Sequence, residues 1–287
     1  MNTSPAPILF LHANGYPAGV YRVFLQGIAA VHPVSAIDMI GVDRAYRPGR
    51  GWHRMLNQVV AHIESLAQPR VVLVGHSMGG YLAAMAALRL PKRVEQVVLI
   101  DSPVVMGWRG ALVSVTHATG LSRRIGPAPI ADRRRRHWPS REEARRHLGA
   151  KAFVQRWAPG VLDDFIAAGL RDDPAGGVML TFPRETERDI YATLAHREAA
   201  SALRRLRKRG VPVGFVAGSE SEEVRLAGLE QNRRFWGPDW IEVPGGHLIP
   251  MEVPDACAQA VLARIALVRG KPSKVLRAQT ESREARA

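Results

Sequence analysis

A single cysteine, Cys257, stands in a chain of 287 residues, so no intrachain disulfide is available, and its surroundings show no metal-ligand spacing. It reads as a small buried apolar residue on a helix. Long apolar runs are also missing: no stretch approaches the roughly 18 consecutive apolar residues of a membrane span. Residues 1–7 lack a positively charged region followed by a long apolar segment, which argues against export. The expectation is a cytoplasmic protein without a membrane span.

Lysine is scarce as well. Of 40 basic residues only Lys92, Lys151, Lys208, Lys271 and Lys274 are lysines, and the formal net charge of +14 is carried almost wholly by arginine. Clustered arginine attracts phosphates. Here the clumps at 133–136, at 204–209 and after 269 have no interleaved aromatic residues to stack on bases. They read as solvated surface; nucleic acid is not an expected partner, whereas an acidic substrate or partner surface fits.

What is present is a 46% hydrophobic composition, enough for a full core. Short apolar runs at 7–12, 34–40, 71–75, 94–100, 211–218 and 240–244 alternate with helical patterns, among them 52–66, 81–90 and 222–233. A final helix starts at Pro254. That order predicts an α/β fold with a mostly parallel central sheet and helices on both faces. The alternation fails between 103 and 197, where Trp108, Trp138, Phe153 and Trp157 fall among many arginines. A structureless loop of that length is improbable inside a domain, so a mainly helical cap insert is expected. The predicted division is a core of 1–102 and 198–270, an insert of 103–197 and a disordered tail at 271–287.

Gly75-His76-Ser77-Met78-Gly79 has the spacing G-x-S-x-G, preceded by a valine-rich strand pattern and followed by an alanine-rich helix pattern. A sharp strand-to-helix turn there exposes the serine hydroxyl, and the glycines relieve crowding two residues away. Ser77 is therefore the candidate nucleophile. It needs a base to remove its proton. His247, in Val-Pro-Gly-Gly-His after the last strand pattern, lies at the carboxyl edge of the sheet and is the candidate. An acid should orient that histidine. The loop 219–223 offers glutamates but no aspartate; Glu222 is the first choice, Glu220 the second, and Asp101 at the end of the preceding strand the third. Backbone N–H groups of Met78 and Asn14 are the candidate oxyanion donors, with Ala13 an alternative to Asn14.

These motifs resemble the α/β-hydrolase superfamily, in particular its cap-bearing serine hydrolases with a nucleophile elbow, over roughly residues 7–269. The loop His12-Ala13-Asn14-Gly15 departs by one alanine from the His-Gly-x-Pro of many relatives. The resemblance implies the α/β-hydrolase fold, supporting roles for His12 and His76, and an acid following the strand that ends at Gly218. That acid is often aspartate in the family, and Glu222 would be a variant. A serine at the elbow excludes the haloalkane and epoxide chemistry of relatives that carry a carboxylate there. The expected function is hydrolysis of a small carboxylic ester, thioester or lactone through an acyl-enzyme, with no metal or organic cofactor. Acyl transfer, carbon–carbon bond hydrolysis on the same triad, and non-catalytic ligand binding are the alternatives.

Overall fold

Six of the apolar segments become strands of one parallel sheet in the computed structural model, which describes residues 5–105, 107–124 and 126–269. In chain order the elements begin with β1 (Ile8–Leu11), α1 (Arg22–Ala29), β2 (Val34–Ala36), α2 (His53–Ser65), β3 (Val71–His76), α3 (Met78–Arg89) and β4 (Val94–Ile100). The insert follows as α4 (Gly107–Ala118), α5 (Pro127–Arg133), β5 (His137–Trp138), α6 (Arg141–Gly149), α7 (Ala152–Gln155), α8 (Val161–Ala168), β6 (Leu170–Asp172), β7 (Val178–Leu180) and α9 (Arg184–Ala192). The chain then returns through α10 (His196–Lys208), β8 (Val213–Gly218), α11 (Glu222–Trp236), β9 (Trp240–Val243), α12 (Ile249–Glu252) and α13 (Pro254–Arg269). The strand order is β2-β1-β3-β4-β8-β9, so β4 and β8 are neighbours despite the insert between them.

Period-two alternation sends the buried strand residues to opposite faces. Leu9, Leu11, Leu73, Leu99 and Phe215 pack with Trp52, Met55 and Leu203 on one side. Phe10, Val72, Val74, Val98 and Val216 pack with Phe24, Ile28, Val261 and Ile265 on the other. Cys257 is buried and free in that second layer, as a small apolar residue would be.

Two features differ from the sequence pattern. The strand expected over 34–40 covers only Val34–Ala36. The insert also contains a small antiparallel sheet, β5-β7-β6, whose strands of two or three residues are too short to leave a periodic signal. Among the described residues no helix is long and apolar enough to cross a membrane. The tail expected at 271–287 lies outside the described residues.

Candidate active site

The turn from β3 into α3 holds Ser77 at φ 51°, ψ −114°, a conformation costly for a residue with a Cβ. Its backbone N–H donates to the Ile100 carbonyl at 2.9 Å, which ties the turn to the end of β4. The flanking glycines are sterically required. A Cβ on Gly75 would stand 2.3 Å from the backbone of Gly79, and one on Gly79 would stand 2.0 Å from the Leu11 carbonyl oxygen.

Ser77 Oγ lies 3.1 Å from His247 Nε2. On the other side of the ring, His247 Nδ1 lies 2.8 Å from Asp101 Oδ1. The carboxylate beside the histidine is thus Asp101, at the end of β4, and the first-choice assignment to Glu222 is corrected. Glu222 points to solvent from the first turn of α11, where Arg225 Nε donates to it at 2.6 Å. Glu220 is likewise drawn away, accepting from Arg156 at 2.7 Å. Glu223 comes nearest of the three, its Oε2 lying 3.9 Å from His247 Nδ1, beyond hydrogen-bond reach.

Asp101 is wholly buried and fully engaged. Oδ2 accepts from the Gly218 N–H at 2.7 Å, and Oδ1 accepts from Ser221 Oγ at 2.6 Å in addition to His247. Ser221 also caps α11, accepting from the Val224 N–H at 3.2 Å. Neither donor was singled out from the sequence; the signal lay in Ser221 preceding a helical pattern, the ordinary place for an N-cap. Burial opposes protonation of His247, but the hydrogen bond to Asp101 and its negative charge, supported by Glu223 and Glu252, outweigh it and raise its pKa above the usual value.

A buried hydrogen-bond chain links the two loops around this pair. Ala13 N–H donates to Tyr21 Oη at 3.0 Å, Tyr21 Oη meets His76 Nδ1 at 2.8 Å, and His76 Nε2 meets the His247 carbonyl at 2.9 Å. Burial, and then the proximity of His247, hold His76 well below its ordinary pKa. A neutral His76 that accepts at Nδ1 and donates at Nε2 satisfies every member of the chain. His12 supports the same loop: its Nε2 accepts from the Ile40 N–H at 2.8 Å, and burial lowers its pKa to about 4. Because the Ala13 amide is committed to Tyr21, it is a poor second oxyanion donor. The Asn14 side chain is anchored to the Glu187 carbonyl at 2.9 Å. Met78 supplies the first N–H of α3, one of the donors that a helix leaves unpaired.

Ser77 and His247 open into a cavity of about 480 Å³ with a largely apolar wall that includes Trp52, Tyr81, Val113, Leu194 and Leu226, with Glu223 and Arg109 among its few polar residues. Among the described residues no three His, Cys, Asp or Glu side chains cluster as metal ligands.

The chain matches the alpha/beta hydrolase family over residues 8–260. It belongs to that family. In sequence it is 31% identical over 105 residues to 1-acylglycerol-3-phosphate O-acyltransferase ABHD5 of Rattus norvegicus, covering 34% of this chain and 30% of that one. It is 28% identical over 101 residues to the (lyso)-N-acylphosphatidylethanolamine lipase of Homo sapiens, covering 33% and 30%. The chain thus spans only about three tenths of the length of these curated relatives. In fold it is similar to E-2-(acetamidomethylene)succinate hydrolase, with a TM-score of 0.68, 19% identity, and 92% and 93% of the two chains covered. The thioesterase domain from the curacin biosynthetic pathway is also similar, with a TM-score of 0.65, 20% identity and coverage of 91% and 92%.

Proposed function

We propose that the protein is a serine hydrolase that cleaves carboxylic esters or thioesters with an apolar acyl part. The observation that carries this reading is the continuous line from Asp101 through His247 to Ser77 at the wall of an apolar cavity. His247 takes the Ser77 proton as the hydroxyl oxygen attacks the carbonyl carbon, and Asp101 holds the imidazole in the tautomer with its free lone pair on Nε2. The backbone N–H groups of Met78 and Asn14 receive the negative oxygen of the tetrahedral intermediate, aided by the positive end of α3. His247 then donates its proton to the leaving alcohol or thiol. Water, deprotonated by the same histidine, attacks the acyl-serine and releases the acid.

The cavity volume and its apolar side chains favour an acyl chain of modest size over a polymer. Two relatives in sequence are named as an acyltransferase and a lipase, both acyl-handling activities. The test is labelling with a fluorophosphonate together with cleavage of nitrophenyl esters of increasing chain length. Ser77→Ala should abolish both, and a Ser77→Ala protein that kept full esterase activity would overturn the assignment.

A further inference from the structure

A second, larger cavity of about 1030 Å³ opens between α2, α3 and α10, and Val105 lines both it and the Ser77 cavity. Its wall is more polar than its neighbour's, with charged side chains set beside Leu56, Met85 and Leu88. The helix α10 contributes Arg197, Ser201, Arg204 and Arg205, and Arg89 of α3 and His53 of α2 face them. Positions 197, 201 and 204–205 recur at helical spacing, so these side chains form one stripe about 11 Å long. Glu198 is the single acid in the wall.

Arg197, Arg204 and Arg205 pair with no carboxylate among the described residues. Like charges held together without counter-ions repel one another, and an anion in the groove relieves that repulsion through charge-assisted hydrogen bonds. Among the described residues no Trp, Tyr or Phe side chain lines the groove, whose only rings are the imidazoles of His53 and His196; it offers arginine forks for phosphate oxygens and no broad platform for stacking the bases of a nucleic acid.

We propose that this groove binds phosphate groups carried on the alcohol or thiol part of the substrate, while the acyl part occupies the apolar cavity at Ser77. The assignment rests on the acyl-enzyme reading above and extends it to a substrate class: acyl esters or thioesters whose leaving group is phosphorylated. Two sources share that chemistry, a lipid phosphate and a nucleotide-borne thiol.

The experiment compares the wild type with an R197E/R204E/R205E variant, and with an R197Q/R204Q/R205Q variant should charge reversal impair folding. Acyl-coenzyme A and 1-acylglycerol 3-phosphate are assayed beside a nitrophenyl ester of the same acyl chain. The expected result is a KM increase of about tenfold or more for at least one phosphorylated substrate, with kcat and the nitrophenyl ester kinetics unchanged. Which of the two responds identifies the source. A variant whose KM for both phosphorylated substrates stays within twofold of wild type overturns the groove assignment while leaving the serine hydrolase reading intact. Failure of the fluorophosphonate to label Ser77 overturns that reading instead, and calorimetric binding of inorganic pyrophosphate to wild type and variant then decides the groove: binding lost in the variant sustains it, and binding absent or unaltered overturns it.

Discussion

Asp101 Oδ1 receives His247 Nδ1 at 2.8 Å from a position with no solvent exposure, and it is held there by the Gly218 N–H and the Ser221 hydroxyl. A carboxylate fixed from three directions holds the imidazole in one orientation, as the proposed mechanism requires. Asp101→Asn retains the shape but favours the wrong histidine tautomer, and kcat is expected to fall by about 10³ to 10⁴, the scale known for such a change in a serine protease triad. Glu222→Gln, at the exposed start of α11, should leave kcat within about twofold. Steady-state kinetics on a nitrophenyl ester separates the two, and equal losses from both variants would contradict the placement of the acid.

The same pair sets a pH dependence. His247 must be neutral to take the Ser77 proton, so kcat/KM should fall as pH drops through its pKa, which lies above the ordinary value of 6.5. In Asp101→Asn burial is no longer outweighed, and the acidic limb should move to lower pH. The stability contribution has the opposite direction: a raised folded pKa stabilises the fold fully below pH 6.5, and this is lost as pH rises through the folded value. Profiles of kcat/KM between pH 5 and 9 for both proteins check the shift; an unmoved limb would exclude His247 as the group it reports.

The parallel sheet and the elbow were legible because each leaves a local pattern. Short continuous apolar runs mark the strands, and Gly75 and Gly79 sit where a Cβ would collide with backbone. The acid was not legible in the same way. Its choice depends on which of two adjacent strand ends lies beside the histidine loop, and adjacency of β4 and β8 across an insert is a tertiary fact. Glu222, the first choice from the sequence, and Glu220, the second, are held by Arg225 and Arg156. Tyr21 was silent for a similar reason, since its role comes from a contact with His76 that lies 55 positions away along the chain.

Gly79 offers a test of the steric argument that is independent of catalysis. A Cβ there meets the Leu11 carbonyl oxygen at 2.0 Å, a rigid backbone atom at the end of β1 that cannot swing aside. Gly79→Ala is expected to destabilise the fold by about 3 kcal/mol or more. Gly49→Ala, whose Cβ meets nothing within 4 Å, serves as the control and should change stability little. Urea denaturation of both variants measures the difference.

Tyr21 connects the Ala13–Asn14 loop to the His247 loop, accepting from Ala13 and donating to a neutral His76 that in turn holds the His247 carbonyl. Tyr21→Phe keeps the ring packed against Phe10 and removes only the hydroxyl, which leaves a buried N–H and a buried ring nitrogen without partners. Each unsatisfied group costs about 1 to 3 kcal/mol, so a stability loss of roughly 2 to 6 kcal/mol is expected. A purely structural role would stop there. Slackening of both loops also displaces the Asn14 N–H and the imidazole from the reacting atoms, and about a tenfold fall in kcat with little change in KM should accompany the loss, because the affected groups act on the transition state and not on the bound acyl chain. Measuring kcat at a temperature well below the unfolding transition distinguishes the two, and a fully active, merely less stable Tyr21→Phe protein would confine Tyr21 to the core.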